Sequence, residues 1–232
     1  MTGATVVLFD IDGTLLTAKG AGRRAMEEGF AAVIGSSHGL ASIRFAGGTD
    51  PAIVREGLEA MGQAVDDRRI DAVIEAYLER LPPQLEAAPP VVLPGVLAML
   101  DRLEPMTDVA IGIGTGNVEA GARAKLRAAG LDERFGFGGF GSDHHLRAEL
   151  LRAGARRGAA ALQRSESECA VLVIGDTPKD VAAAHAIGAR CMAVATSYYD
   201  ADALRATGAD LVVEDLEQPE AMAWLHDQIR AA

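Results

Sequence analysis

The chain has 232 residues and a mass of 24.2 kDa, enough for one sizeable domain or for a core domain with a smaller one inserted. Its 22 basic and 33 acidic residues leave a net charge of −11, which disfavours nucleic acid or an anionic membrane as the main partner. No apolar stretch approaches the roughly 18–20 residues that cross a bilayer, and an anionic ligand would have to be attracted by local groups against the overall field.

The first predicted element is the uncharged run Ala4-Thr5-Val6-Val7-Leu8, rich in β-branched residues and therefore a buried strand. It is too short for the apolar core of a signal peptide, so a reducing, cytoplasmic setting is the expectation. Where that strand should stop, Phe9-Asp10-Ile11-Asp12-Gly13-Thr14 brings two carboxylates two positions apart, with a glycine that allows a sharp reversal and a nearby hydroxyl. Metal-assisted attack on a phosphoryl group needs this set: a carboxylate nucleophile, a second carboxyl for proton transfer and a cation to hold like charges together. A solvated Asp-Gly turn is the alternative.

Residues 17–92 contain no convincing strand. Residues 21–33 read as one helix, and Asp50-Pro51 as the cap and first-turn proline of a second that runs through Met61. Ile70, Val73, Ile74, Tyr77, Leu78 and Leu81 recur at helical spacing on a third, which Pro82-Pro83 is expected to stop. Pro89-Pro90 and Pro94-Gly95 mark the return to the core. The loop-like segment 44–50 and the pair Arg23 and Arg24 either reach a substrate or are plain structural residues.

From about residue 108 strands and helices alternate, with strands predicted at 108–114, 135–140, 170–175, 190–195 and 210–213. Asn117 can cap a helix that Gly130 ends, and Thr177-Pro178 can open one that Gly188 ends. The pattern implies an α/β fold, a doubly wound parallel sheet covered on both faces, with ligands beyond the carboxyl ends of its strands. Asp10, Thr115 and Asp176 all fall at such ends. Cys169 and Cys191, the only cysteines, read as small buried hydrophobes.

Asp-x-Asp-Gly-Thr after the first strand, the run Val109 to Asn117 ending in Thr115-Gly116-Asn117, and the run Ala170 to Asp180 ending in Gly-Asp-x-x-x-Asp resemble motifs I, II and IV of the haloacid dehalogenase-like superfamily. The resemblance is nearest to its C1-capped, phosphoglycolate phosphatase-like members. It implies a Rossmann-like core of residues 1–16 and 93–232 and a helical C1 cap of residues 17–92. It implies Asp10 as nucleophile and Asp12 as general acid and base. Mg²⁺ would be held by Asp10, Asp176 and the Asp12 backbone carbonyl, and the phosphoryl oxygens by Thr115, Gly116 and Asn117. Asp180 would support the metal's waters or a basic partner from behind, although its position after Thr177 also suits a capping box.

One family feature is missing. Motif III is normally a lysine, yet none lies between Lys125 and Lys179 and neither of those is placed like it. Arg147 is the candidate replacement, against the alternative of a solvated helix arginine; His144 and His145 read as loop residues. The reaction implied is Mg²⁺-dependent hydrolysis of a small phosphomonoester through an aspartyl-phosphate, by a monomer or homodimer without nucleic acid or membrane partners. A phosphosugar mutase, a haloacid dehalogenase and a non-catalytic phosphate-binding protein are the alternatives. The dehalogenase branch lacks an aspartate matching Asp12, and a phosphonate hydrolase needs a cap lysine, for which only Lys19 is at hand.

Overall fold

The computed structural model describes residues 3–231. In chain order its elements are β1 (Ala4–Phe9), β2 (Leu16–Thr17), α1 (Ala21–Ile34), α2 (Asp50–Ala60), α3 (Asp67–Ala87), β3 (Val91–Val92), α4 (Val96–Leu103), β4 (Val109–Gly114), α5 (Glu119–Ala128), β5 (Gly138–Gly139), α6 (Arg147–Ala161), β6 (Cys169–Gly175), α7 (Pro178–Ala186), β7 (Arg190–Val194), α8 (Ala201–Arg205), β8 (Leu211–Val213) and α9 (Pro219–Ala231). Six strands form a parallel sheet in the order β5-β4-β1-β6-β7-β8. From β1 the chain moves outward through β4 and β5, then returns to the other side of β1 for β6, β7 and β8. The reversal beside β1 opens a crevice at the carboxyl ends of β1, β4 and β6.

Alternation along β1 divides the core. Val7 and Phe9 join Leu100, Ala122, Leu126 and Leu225 on one face, whereas Val6 and Leu8 join Leu150, Leu151, Val181 and Ala184 on the other. Each of the valines, leucines and Phe9 among them, fully buried, contributes about 1.5–3 kcal/mol. The first cluster continues without a break through Leu15 and Leu16 into Met26, Phe30, Leu58, Tyr77 and Leu81 of α1, α2 and α3.

Four expectations need correction. The strand expected at 135–140 shrinks to two residues, because Phe135 leaves the ladder to pack edge-on against Phe9 with ring centroids 6.2 Å apart. Pro82-Pro83 does not stop α3, which runs on to Ala87. Leu81 and Leu85 keep the buried face going across the prolines, and the Gln84 side chain ties the end of α3 to Glu28 and Arg24 of α1. Two prolines cost an exposed helix several kcal/mol, but here tertiary packing outweighs propensity. The segment thought to lack strands is bounded by β2 and β3, which pair antiparallel, and the Leu93 N–H donates to the Leu15 carbonyl at 3.0 Å. Lastly, α2 is capped by Thr49 and not by Asp50, which frees the Asp50 carboxylate for another task. No described helix is long and apolar enough to cross a membrane.

Candidate active site

Asp10 emerges where β1 ends, its backbone N–H still bonded to the Ile174 carbonyl of β6 at 2.9 Å. Its carboxylate is buried beside Asp176, from the end of β6, and Asp180, from the first turn of α7. Oxygens of the three carboxylates lie within 4.8 Å of one another. Arg147, the first residue of α6, faces this cluster with its Nη2 2.8 Å from Asp10 Oδ2 and 2.6 Å from Asp180 Oδ1. These two carboxylates are the close partners of the buried guanidinium. Asp180 serves two ends at once. Its Oδ2 accepts from the Thr177 N–H at 3.0 Å and hydroxyl at 2.7 Å, completing the capping box of α7, while Oδ1 meets Arg147. Asp180 thus meets a basic partner, Arg147, and completes the capping box of α7, and its carboxylate lies close to those of Asp10 and Asp176.

Three carboxylates against one guanidinium make a strongly perturbed group. Burial pushes the Asp10 carboxyl up to about 6; Arg147 pulls it down, and Asp180 works with burial. Burial, then Asp180 and Asp10, hold the Asp176 carboxyl well above the usual carboxylate range, although Thr14 and Ser197 both donate to it. Burial works against the charge of Arg147, but Asp10, Asp180 and Asp176 together raise its pKa.

Asp12 is placed differently. Its side chain is 43% exposed, which makes it the more open of the two motif aspartates that line the cavity. Its Oδ2 accepts from Asn117 Nδ2 at 2.9 Å and from Lys125 Nζ at 2.5 Å, and Lys125 also donates to Asn117 Oδ1 at 2.7 Å. Asn117, expected as a helix cap, caps nothing: the N-cap of α5 is Val118, and the Asn117 amide is spent on Asp12, Lys125 and the Thr115 hydroxyl. Thr115 itself is fully buried at the end of β4.

Lys125 and Asp50 escaped sequence reasoning. Lys125 lies on α5 on the same face as Val118, Ala122 and Leu126, where a helix should show only apolar residues; in a chain with three lysines, that break in pattern was the available signal. Asp50, at the start of α2, accepts from the Val118 N–H at 2.8 Å, while its own N–H donates to the Gly116 carbonyl at 2.8 Å. A β-carbon on Gly116 would collide with the Gly48 carbonyl, so glycine lets the two loops close on each other. The segment 44–50 and α1 then roof a cavity of about 400 Å³ over Asp10, Asp12 and Asp176, with Met26, Phe45 and Ile53 as its apolar wall. Arg23 lines this cavity but is committed to Glu27, to the Leu40 and Ile43 carbonyls and to the face of Phe45. Arg24 turns instead to the Lys19 carbonyl and Gln84, and Arg44 reaches the Tyr199 hydroxyl. His144 and His145 stack on each other in the loop before α6, and Lys179 is exposed.

Burial also lifts the Asp50 carboxyl to about 6, against the pull of Lys125 and the Val118 N–H. Asp10 and Asp50 thus bind protons more tightly folded than unfolded, where the value is near 3.8. The resulting stabilisation is complete below pH ~4 and lost as pH rises through about 6. In chelator the thermal midpoint should therefore be several degrees higher at pH 5 than at pH 7.5, and Asp50→Asn should narrow that difference. A midpoint that rises between these two pH values in the unmodified protein would contradict this account.

A family model described as haloacid dehalogenase-like hydrolase matches residues 4–188. No curated protein matches the sequence. Among solved structures, the fold is similar to a hydrolase from Pseudomonas syringae, 22% identical with a TM-score of 0.67 over 92% of this chain and 94% of that one. It is also similar to CbbY from Rhodobacter sphaeroides in complex with phosphate, 19% identical with a TM-score of 0.70 over 93% and 96%. A predicted phosphoglycolate phosphatase from Haemophilus somnus aligns at 15% identity with a TM-score of 0.67 over 96% and 99%.

Proposed function

This chain belongs to the haloacid dehalogenase-like hydrolases, and we propose that within that family it is a Mg²⁺-dependent phosphatase of a small phosphomonoester, working through an aspartyl-phosphate. The observation that carries this reading is the division of labour between two aspartates: Asp10 buried against Arg147, Asp12 open to the cavity two residues on. The donors around Asp10 fit the metal. They are hard oxygens only, buried, mutually within 4.8 Å, and short of positive charge. Asp10 and Asp176, with the Asp12 carbonyl, would hold Mg²⁺, which when bound offsets the charge of carboxylates and phosphate.

In this reading an Asp10 carboxylate oxygen attacks phosphorus, and the bond to the leaving oxygen breaks as Asp12 protonates it. Asp12, now ionised, takes a proton from the water that attacks the aspartyl-phosphate, releasing phosphate and restoring Asp10. Thr115, the backbone N–H groups of Gly116 and Asn117, and the guanidinium of Arg147, which lines the cavity, would bind the phosphoryl oxygens. Residues 17–92 would act as the cap and 1–16 with 93–232 as the catalytic core. The size of the roofed cavity favours a small phosphate ester, and the net charge of −11 disfavours a nucleic acid partner; a cytoplasmic setting belongs to the same proposal.

The test is a panel of alkyl and aryl phosphomonoesters, assayed for phosphate with and without Mg²⁺, beside 2-haloacids assayed for halide. Phosphate release that requires Mg²⁺ and stops in excess chelator is expected. Undiminished turnover in chelator would remove the metal from the mechanism. Halide release without phosphate release would make the protein a dehalogenase.

A further inference from the structure

We infer that Lys125 is a positioning residue for Asp12, an inference that rests on the phosphatase reading. Lys125 is 5% exposed at its side chain and sits among Val118, Ala122 and Leu126 on the buried face of α5. Burying an ammonium costs several kcal/mol even when it is paired, and a methionine would fill the same place without that cost. Its ammonium goes to two acceptors, Asp12 Oδ2 at 2.5 Å and Asn117 Oδ1 at 2.7 Å, and Asn117 Nδ2 returns to the same Asp12 oxygen at 2.9 Å. This closed triangle fixes the rotation of the Asp12 carboxylate through Oδ2. It leaves Oδ1 as the oxygen that carries the proton toward the leaving group and later takes one from water.

Asp12 must present the same oxygen to two different partners, so a carboxylate free to rotate would lose geometry at both steps. Lys125 makes no ion pair with Asp10, whose cation is Arg147. Its removal should therefore impair the proton transfer and spare the attack on phosphorus.

The experiment uses the full-length protein with Mg²⁺ as Lys125→Met, Lys125→Arg and Asn117→Ala. Formation of the aspartyl-phosphate is followed in single turnovers from an alkyl phosphate and from an aryl phosphate whose leaving group departs without a proton. Lys125→Met should slow formation from the alkyl substrate at least about tenfold more than from the aryl one. KM should move by less than about threefold, and Lys125→Arg should recover part of the loss. Equal slowing with both substrates would overturn the positioning role, and a raised KM with unchanged kcat would make Lys125 a leaving-group binder instead. Should Lys125→Met fail to fold, Lys125→Arg and Asn117→Ala decide by the same comparison. A wild-type protein that hydrolyses no phosphoester defeats the phosphatase reading; an active wild type with non-discriminating variants defeats this inference alone.

Discussion

Asp10→Asn is expected to remove turnover of every phosphomonoester the wild type accepts, by on the order of 10⁴-fold or more. An amide oxygen carries no full charge and is a poor nucleophile, so no acyl phosphate can form. The substitution keeps the shape of the side chain and withdraws one of three crowded anions, while Arg147 retains its contact with Asp180 at 2.6 Å. Metal-free stability at pH 7.5 should consequently equal or exceed that of wild type, since the buried charge is removed, which separates loss of chemistry from loss of fold. Phosphate release and intact-protein mass after rapid acid quench are the measurements. The wild type should show a phosphoryl adduct and the variant none. Turnover within tenfold of wild type would mean that another group attacks phosphorus.

Arg147→Ala should have the largest effect on stability. Arg147 is the cation that contacts both Asp10 and Asp180, and without it Asp10, Asp176 and Asp180 face one another with no positive side chain among them. Breaking a buried pair and leaving its partners charged costs about 3–5 kcal/mol, or on the order of 10 °C in a chain of this size. Partial protonation of Asp10 and Asp176, both already raised by burial, would absorb some of that cost, so the deficit should be larger at pH 8 than at pH 5.5. Catalysis should fall by about 10²-fold or more, as it does when a charge-stabilising donor is lost. Arg147→Lys should recover part of both, since it restores charge without the forked donor geometry. Calorimetry in chelator at the two pH values, with kinetics in Mg²⁺, tests this. Wild-type midpoints in Arg147→Ala would show that the three carboxylates do not share a charge-starved site.

The part of the site that was legible in the sequence lies at strand ends. Asp10, Thr115 and Asp176 each follow an apolar run whose length sets where the strand stops, and parallel sheets gather such ends in one crevice. Arg147 could be found because it opens a helix after a short strand, a position fixed by local signals. Lys125 could not be found that way. It reaches Asp12 from the second turn of α5, and that contact depends on how a whole helix lies on the sheet. Asp50 was hidden by a local rule that was nearly right: Asp-Pro does start a helix, but Thr49 takes the capping role and Asp50 reaches across to Val118. The prolines of α3 misled in the opposite direction, since Leu81 and Leu85 bury themselves against the neighbouring helices regardless of the missing N–H groups. Motif spacing therefore located the groups proposed to attack phosphorus and hold the metal, whereas the residues that orient Asp12 and seat the roof depend on packing between distant elements.

The two-stranded pair of β2 and β3 bears on how this chain can change over evolutionary time. It brings Leu16 and Thr17 opposite Val92 and Val91, so the excursion of about 70 residues between them starts and ends at one point. Seen from the sheet, that excursion is a closed loop. Doubling its length would cost only about 0.6 kcal/mol in closure entropy, so added chain between β2 and β3 does not by itself pull their ends apart. The constraint that remains is local: whatever replaces α1 and α3 must still cover Leu15 and Leu16 with apolar side chains. The roof of the cavity can thus be rebuilt from between two adjacent chain points without moving the strand ends that form its floor.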